Sequence, residues 1–357
     1  MKRILTLLIT LVLISFCVQS QEKNPLKISG VFFGDYFYNM SRPADSLKSY
    51  KNGEQTGDKF ANGFSIRRMQ LAFGYDFTDK IVGKIRIESD GSTFNSDSTF
   101  GIFVKDAFLQ YNDILPGMNV LAGMISTMST EFAEGLWGYR SIERIPIDLR
   151  KYLSTRDLGV AIRGKFDKEG NFGYGLMFGN NSGTKSEKDR NKRIYGTFTA
   201  KPIKELALGL STDYTWNYKD ENQTLFQFDG AYTQKDMFTL GVEAFYASKP
   251  KKVGNDFVDS LTINGLCFAV YANIIILPEL AFVARYDMFD PNTNSNVKYD
   301  SRNYIVAGLA YSPVKGVRII PNVQYEMYEN GKLPNGDDKI IDPAITARIT
   351  FEYKFEK

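Results

Sequence analysis

Along most of this chain, hydrophobic and polar residues alternate one by one. Near its end, Ile345, Ala347, Ile349, Phe351, Tyr353 and Phe355 alternate with Thr346, Arg348, Thr350, Glu352 and Lys354. On a strand the two sets point to opposite faces, one apolar and aromatic, the other polar and charged. The pattern recurs where Leu206, Leu208, Leu210, Thr212, Tyr214 and Trp216 alternate with Ala207, Gly209, Ser211, Asp213, Thr215 and Asn217. It recurs again where Met69, Leu71, Phe73, Tyr75 and Phe77 alternate with Arg68, Gln70, Ala72, Gly74 and Asp76.

This periodicity predicts 16 strands, at 28–38, 64–77, 80–90, 103–112, 118–127, 157–167, 171–180, 192–200, 205–218, 224–233, 237–248, 261–275, 279–289, 303–312, 316–328 and 344–356. The first and fourth alternate poorly. Connections after even-numbered strands are short, such as Thr78-Asp79, Leu277-Pro278 and 313–315. Those after odd-numbered strands are mostly long, at 39–63, 91–102, 128–156, 181–191, 249–260, 290–302 and 329–343, with only 219–223 brief. Alternating short turns and long loops on an even number of strands predict an all-β fold. It is a 16-stranded antiparallel transmembrane β-barrel with short periplasmic turns, long extracellular loops and both termini on the turn side.

A sheet in hydrocarbon must close so that every backbone donor and acceptor is paired. Aromatic residues gather at the predicted strand ends: Tyr75, Phe77, Tyr111, Phe166, Phe172, Tyr232 and Phe238 toward the turns, and Tyr36, Tyr38, Trp216, Tyr218 and Tyr246 toward the loops. Two such girdles suit the two membrane interfaces. A secreted soluble β-sandwich or solenoid would also alternate, but it would bury so aromatic an outer face awkwardly.

The start of the chain reads as a secretory signal peptide over 1–20. Lys2 and Arg3 precede an apolar run from Ile4 to Val18, and Val18 and Ser20 suit the −3 and −1 positions for cleavage before Gln21. The run is shorter than the roughly 20 residues a spanning helix needs. Cys17 suggests lipoprotein processing, but Phe16 before it is too bulky. Residues 21–357 then form one barrel domain.

Composition removes several functions. Histidine is absent, which excludes Ser–His and Cys–His catalytic pairs and the commonest metal ligand. The formal charge of +3, which would fall to +1 without Lys2 and Arg3, suggests no nucleic-acid partner. Cleavage leaves Cys267 as a lone thiol, alternating with inward-pointing small residues and expected to be inert. Asp290, Asn292, Asn294 and Asn296 alternate as in a calcium loop, but Ser295 and Ser301 stand where an EF-hand needs Gly and Glu. They read as a polar loop. The stretch 179–185 lacks phosphate-loop spacing. We expect no catalytic residue, metal or cofactor.

Five short motifs, in their order and spacing, resemble the phosphate-selective porin O and P family. They are Phe64-Ser65-Ile66-Arg67-Arg68, Val104-Lys105-Asp106-Ala107-Phe108-Leu109-Gln110-Tyr111, Glu143-Arg144, Arg156-Asp157-Leu158-Gly159-Val160 and Pro321-Asn322-Val323-Gln324-Tyr325. The resemblance spans nearly the whole mature chain. It implies a 16-stranded outer-membrane pore of a Gram-negative bacterium, usually a homotrimer, with one loop folded inward. Where the family commonly has Lys-x-Pro-Phe after a glycine, Gly123 is followed here by Met124-Ile125-Ser126-Thr127-Met128. The resemblance therefore carries over the channel and not the phosphate.

The longest inner candidate, 128–156, would be the constriction loop, with Glu131, Glu134, Glu143 and Asp148 among Arg140, Arg144, Arg150 and Lys151. A solvated surface loop is the plainer alternative. By parity Arg68, Lys84, Arg86, Arg163, Lys165, Arg193, Arg285, Arg318 and Arg348 face inward, while Arg67 faces outward or lies at the rim. Inward acids are about as numerous: Asp76, Glu88, Asp90, Asp106, Asp213, Asp229, Glu243, Asp287, Glu326 and Glu352. These sets either attract anions locally or pair with each other across strands. The expected function is passive diffusion of small hydrophilic solutes or inorganic anions, with Arg68, Lys84, Arg86, Glu131, Glu134, Arg140, Glu143, Arg144, Arg163 and Lys165 lining the pore. The alternative is a plugged structural or adhesive barrel. The mature protein should begin at Gln21; an intact mass retaining Met1, or a lipid on Cys17, would refute the cleavage site.

Overall fold

The computed structural model describes residues 25–43, 58–90, 93, 97, 99–217, 222–253, 256–294, 300–332 and 338–357. The expected signal peptide, Tyr218 and Asn296 lie outside them. Each of the sixteen alternating segments is a strand. In chain order these begin with β1 (Leu26–Ser41), β2 (Asn62–Asp76), β3 (Ile81–Asp90), β4 (Phe103–Leu115) and β5 (Met118–Ser126). Then come β6 (Arg156–Lys165), β7 (Phe172–Gly179), β8 (Lys192–Ile203), β9 (Leu206–Trp216) and β10 (Gln223–Gln234). Next are β11 (Phe238–Val253), β12 (Asp256–Leu277), β13 (Leu280–Asp290), β14 (Arg302–Val314) and β15 (Val317–Tyr328). Two-residue strands β16 (Gly331–Lys332) and β17 (Asp338–Lys339) form a ribbon in the last long loop, and β18 (Ala344–Glu356) ends the barrel.

All sixteen barrel strands pair antiparallel with their neighbours, and β1 closes the sheet by pairing with both β2 and β18. The closing seam runs from Ser29 opposite Glu356 to Asn39 opposite Thr346. Short turns sit where the sequence supplies left-handed conformers: Gly117 (φ 75°) between β4 and β5, and Gly316 (φ 86°) between β14 and β15. Between β6 and β7, Asp167 accepts the backbone N–H groups of Phe172 and Asn171, each at 2.8 Å. Those donors, the Phe172 N–H foremost, hold its carboxyl below the usual carboxylate range.

Strand ends fall within three residues of expectation except at one hairpin. There β11 continues to Val253 and β12 begins at Asp256, so the loop expected at 249–260 is largely a strand ribbon with a register shift after Pro250. Backbone pairing extends it beyond the residues whose side chains alternate. The third loop contains a helix, Met128–Trp137, and a short turn of helix, Pro146–Leu149.

The outer face is apolar. Leu210, Phe226, Ile274, Leu309 and Ile349 are exposed on it, while alternate residues such as Asp213, Gln227, Arg285 and Thr350 are buried within. The expected girdle residues Tyr75, Phe77, Tyr111, Phe166, Phe172 and Tyr232 are exposed near the turns, and Tyr36, Tyr38, Trp216 and Tyr246 near the loops. Phe238 is half-buried, 6.2 Å from the Tyr232 ring. Among the described residues no helix is long and apolar enough to cross a membrane; in a bilayer the strands would cross. Leu210→Arg should cost about 2–4 kcal/mol in refolding into bilayers if it lies near the midplane. A cost below about 1 kcal/mol would place that face away from hydrocarbon.

Candidate functional site

The helix Met128–Trp137 forms because Met128, Phe132, Ala133, Leu136 and Trp137 recur at helical spacing, giving it one apolar side. It ends at Gly138, whose left-handed backbone (φ 71°) lets its N–H bond the Glu134 carbonyl at 3.0 Å. Pro146 opens the second helical turn, where its missing N–H costs nothing.

This loop lies against inward-facing wall residues. Trp137, Ile142, Ile145, Ile147, Leu149 and Leu153 join Leu225, Phe245, Tyr271, Val283, Tyr304 and Ile320 in one buried cluster. Glycines in the wall receive three loop side chains. A Cβ at Gly209 would lie 2.6 Å from Phe132 Cε1, and one at Gly175 2.5 Å from Met128 Sδ; one at Gly265 would collide with the Tyr152 hydroxyl.

Polar groups complete the seat. Arg285 donates to the Arg144 carbonyl at 2.6 Å, Gln324 to Ile142 O at 3.1 Å and Arg318 to Gly138 O at 3.1 Å. Arg150 bonds Glu326 at 2.6 Å, and Ser141 donates to Glu352 at 2.5 Å. Glu243 accepts the Ile147 N–H at 2.9 Å. The loop's otherwise unpaired backbone is thus satisfied by side chains of β11, β13 and β15.

The opposite side of the loop is charged and wetter. Glu131 (side chain 47% exposed), Glu134 and Arg144 (27% each), Asp148 and Arg140 lie there. Arg140 stands 3.5 Å from Glu134 and 3.9 Å from Asp148; Arg144 stands 4.0 Å from Asp148. The charges acting on Arg68 include Arg140, Glu88, Glu134 and Asp148, and those acting on Lys84 include Arg86, Asp106 and Glu131. Loop acids therefore act on the wall cations of β2 and β3 across the gap between loop and wall.

Not every expected site residue belongs to this gap. Arg68, Lys84, Arg86, Glu131, Glu134, Arg140 and Arg144 meet there. Arg163 stands at its edge, 2.8 Å from Glu131, and also donates to the Ser126 carbonyl. Glu143 does not line the gap. It is buried, accepting the Tyr304 hydroxyl at 3.1 Å and the Arg144 N–H at 2.9 Å, so it fastens the loop instead. Lys165 lies at the turn end of β6, with Nζ beside Gly170, apart from the cluster.

Arg67 corrects the parity reading. Between β1 and β2 the register passes from Phe33–Arg68 to Gly34–Ile66, so Arg67 is an extra residue in a bulge. The bulge turns it inward, 2.5 Å from Asp35, where it also donates to Ser141 O. Lys105, missed as a site residue, sits in a second bulge: the β3–β4 register passes from Arg86–Asp106 to Ile87–Val104. It lies 3.4 Å from Glu88. The legible signal was a pair of adjacent charged residues in a strand, Arg67-Arg68 and Lys105-Asp106; strict alternation would put one of each pair in lipid. Arg67, Arg68 and Arg140 then crowd the Phe33 ring at 5.2, 5.5 and 5.9 Å from its centroid.

Many inward cations are paired across strands. Arg68 meets Glu88 at 3.4 Å, Arg86 meets Asp106 at 3.2 Å, Arg193 meets Asp213 at 2.5 Å and Arg318 meets Glu352 at 2.7 Å. Asp106 also binds Arg156 at 2.5 Å. Around the gap the cations Arg68, Lys84, Arg86, Lys105, Arg140, Arg144, Arg156 and Arg163 outnumber the acids Glu88, Asp106, Glu131, Glu134 and Asp148. Among the described residues no cluster of acids and cysteine could hold a metal ion.

No family of known sequences matches this chain, and no curated protein matches it either. Solved structures do match. The outer membrane channel DcaP of Acinetobacter baumannii aligns with 94% of this chain and 99% of its own, at 15% identity and a TM-score of 0.64. The anion-selective porin from Comamonas acidovorans aligns with 92% of this chain and 99% of its own, at 12% identity and a TM-score of 0.63. The outer-membrane expressed OmpT of Vibrio cholerae aligns with 94% and 100%, at 12% identity and 0.62. The chain therefore has the fold of 16-stranded outer-membrane porins and channels. The resemblance to the phosphate-selective porin O and P family reaches no further than that general fold.

Gly209→Phe should displace the helix by filling the space of the Phe132 ring. Faster tryptic cleavage between Arg140 and Lys151 in folded protein would report it. A cleavage rate equal to the parent's would mean that the loop does not rest on this wall.

Proposed function

We propose that this protein is an outer-membrane porin for passive diffusion of small hydrophilic solutes, with a mild preference for anions. The carrying observation is the two-faced third loop: one side fastened to the wall, the other presenting Glu131, Glu134 and Asp148 to the cations of β2, β3 and β4. Folded inward this way, 128–156 acts as the constriction. Opposed charges across a narrow aqueous gap make a transverse field, strengthened by low-dielectric walls and weakened by salt over a Debye length of about 10 Å at 0.1 M. Dipolar solutes orient in that field and anions follow the basic side. The excess of cations supports anion preference, and the many cross-strand pairs keep it mild. Phosphate-like anions are within this class. The porin fold supports export by the signal peptide, a Gram-negative outer membrane and assembly as a homotrimer; a trimer form of Vibrio cholerae OmpT is among the similar structures. The chemistry is passive, without catalytic residue or cofactor.

A second reading, a barrel plugged by its loop, draws on the low side-chain exposure at the gap, 13% for Arg68 and 12% for Lys105. Planar-bilayer recordings separate the two. A porin gives conductance that rises when about ten residues around Leu136 are deleted, by the steric logic of a constriction; a plug gives none in the parent. Reversal potentials in a salt gradient should show modest anion preference that weakens in the Arg68→Gln, Arg86→Gln double variant. Strong cation preference in the parent, or no change in the variant, would remove these residues from the path.

A further inference from the structure

Asp229 on β10 and Glu243 on β11 stand directly opposite each other in the sheet register. Both face inward and are buried, at 1% and 3% exposure. Asp229 receives only the Gln227 amide, at 3.1 Å, and its Oδ2 has no partner. Glu243 receives the Ile147 N–H of the seated loop.

The neighbouring groups do not neutralise them. On β13, Arg285 is committed to Asp287 through two bonds, at 2.8 and 2.9 Å, and to the Arg144 carbonyl. β12 contributes Tyr271 and Cys267, both buried and neutral in their ordinary forms. On β9 the residue opposite Asp229 is Gly209, covered by Phe132. From the loop, Arg150 is bound to Glu326, while Asp148 lies toward Arg140 and Arg144.

We propose that Asp229 and Glu243 hold one proton between them while the loop is seated, making this seat a pH-sensitive latch for the constriction. Two carboxylates opposite each other in the register, buried and without a cation of their own, cannot both ionise cheaply. The pair titrates as a unit. With one proton bound, Asp229 and Glu243 share it as a hydrogen bond, and Glu243 keeps an oxygen for Ile147. Loss of that proton to hydroxide leaves two adjacent negative charges, which draw in water and push apart the wall that Ile147 and Trp137 rest on. The seated state binds one more proton than the released state, so seating weakens as pH rises.

Trp137 reports the seat without requiring conduction, because it packs edge-on to Tyr271 at 5.3 Å and over Arg285 at 5.1 Å. The chain has two tryptophans, so a Trp216→Phe background leaves Trp137 as the single emitter. In detergent-folded protein, its emission should shift to the red between neutral and alkaline pH, with faster tryptic cleavage at Lys151. Asp229→Asn and Glu243→Gln, which mimic the protonated acids, should each abolish both changes while keeping heat-modifiable mobility. A parent without the shift, or folded variants that shift as the parent does, would overturn the latch. A latch that works in a barrel without conductance would instead refute the porin reading.

Discussion

The pairing of β1 with β18 is the contact on which the rest of the molecule depends. In water an unpaired strand edge can bond to solvent, whereas in hydrocarbon each unsatisfied backbone group costs several kcal/mol. Closing the sheet removes both edges. It also divides the side chains into two populations, one for lipid and one for the lumen, because successive residues point to opposite faces. The apolar ribbon of β18, with Ile349 and Phe351 outside and Arg348 and Thr350 inside, is the direct result.

Closure creates a second problem, a lumen lined with charged groups taken from bulk water. The structure resolves it with neighbours. Arg193 with Asp213 and Arg285 with Asp287 neutralise each other along the wall. The third loop covers much of what remains, and its backbone carbonyls accept the wall's guanidinium and amide donors. Burial of one partner in such pairs without the other would be strongly unfavourable, so the loop and its wall form a single polar and apolar lining. What stays most exposed is the charged side of the loop, Glu131 above all.

Two bulges shape that wall. Each inserts one residue on a strand beside β3 and turns an additional cation inward, Arg67 to Asp35 and Lys105 to Glu88. A regular ladder would have sent these cations to the lipid face at the cost of a few kcal/mol each near the midplane. The same device that spares the outer surface also concentrates positive charge on the wall facing Glu131 and Glu134. Acids without cations, Asp229 and Glu243, lie instead behind the loop, so charge balance differs on its two sides.

The alternation of Leu206 through Trp216 and of Ile345 through Phe355 determined strand, facing and closure, because a period of two is a local property that the membrane reads without further instruction. The sequence also marked 128–156 as a long loop between two strands and, by parity, turned Arg68, Lys84 and Arg86 inward. It could not place Arg67, since a bulge is a mismatch between two strands and belongs to neither alone. Nor could it separate Glu143 from Glu134. Both are acids in one loop, and only the wall they meet decides their roles: Tyr304 receives Glu143 at a buried anchor, while Arg140 holds Glu134 at the gap. The glycine notches that seat Phe132 and Met128, and the meeting of Asp229 with Glu243, likewise arise from register and packing between segments distant in the chain. Such contacts exist only once the barrel has closed around its loop.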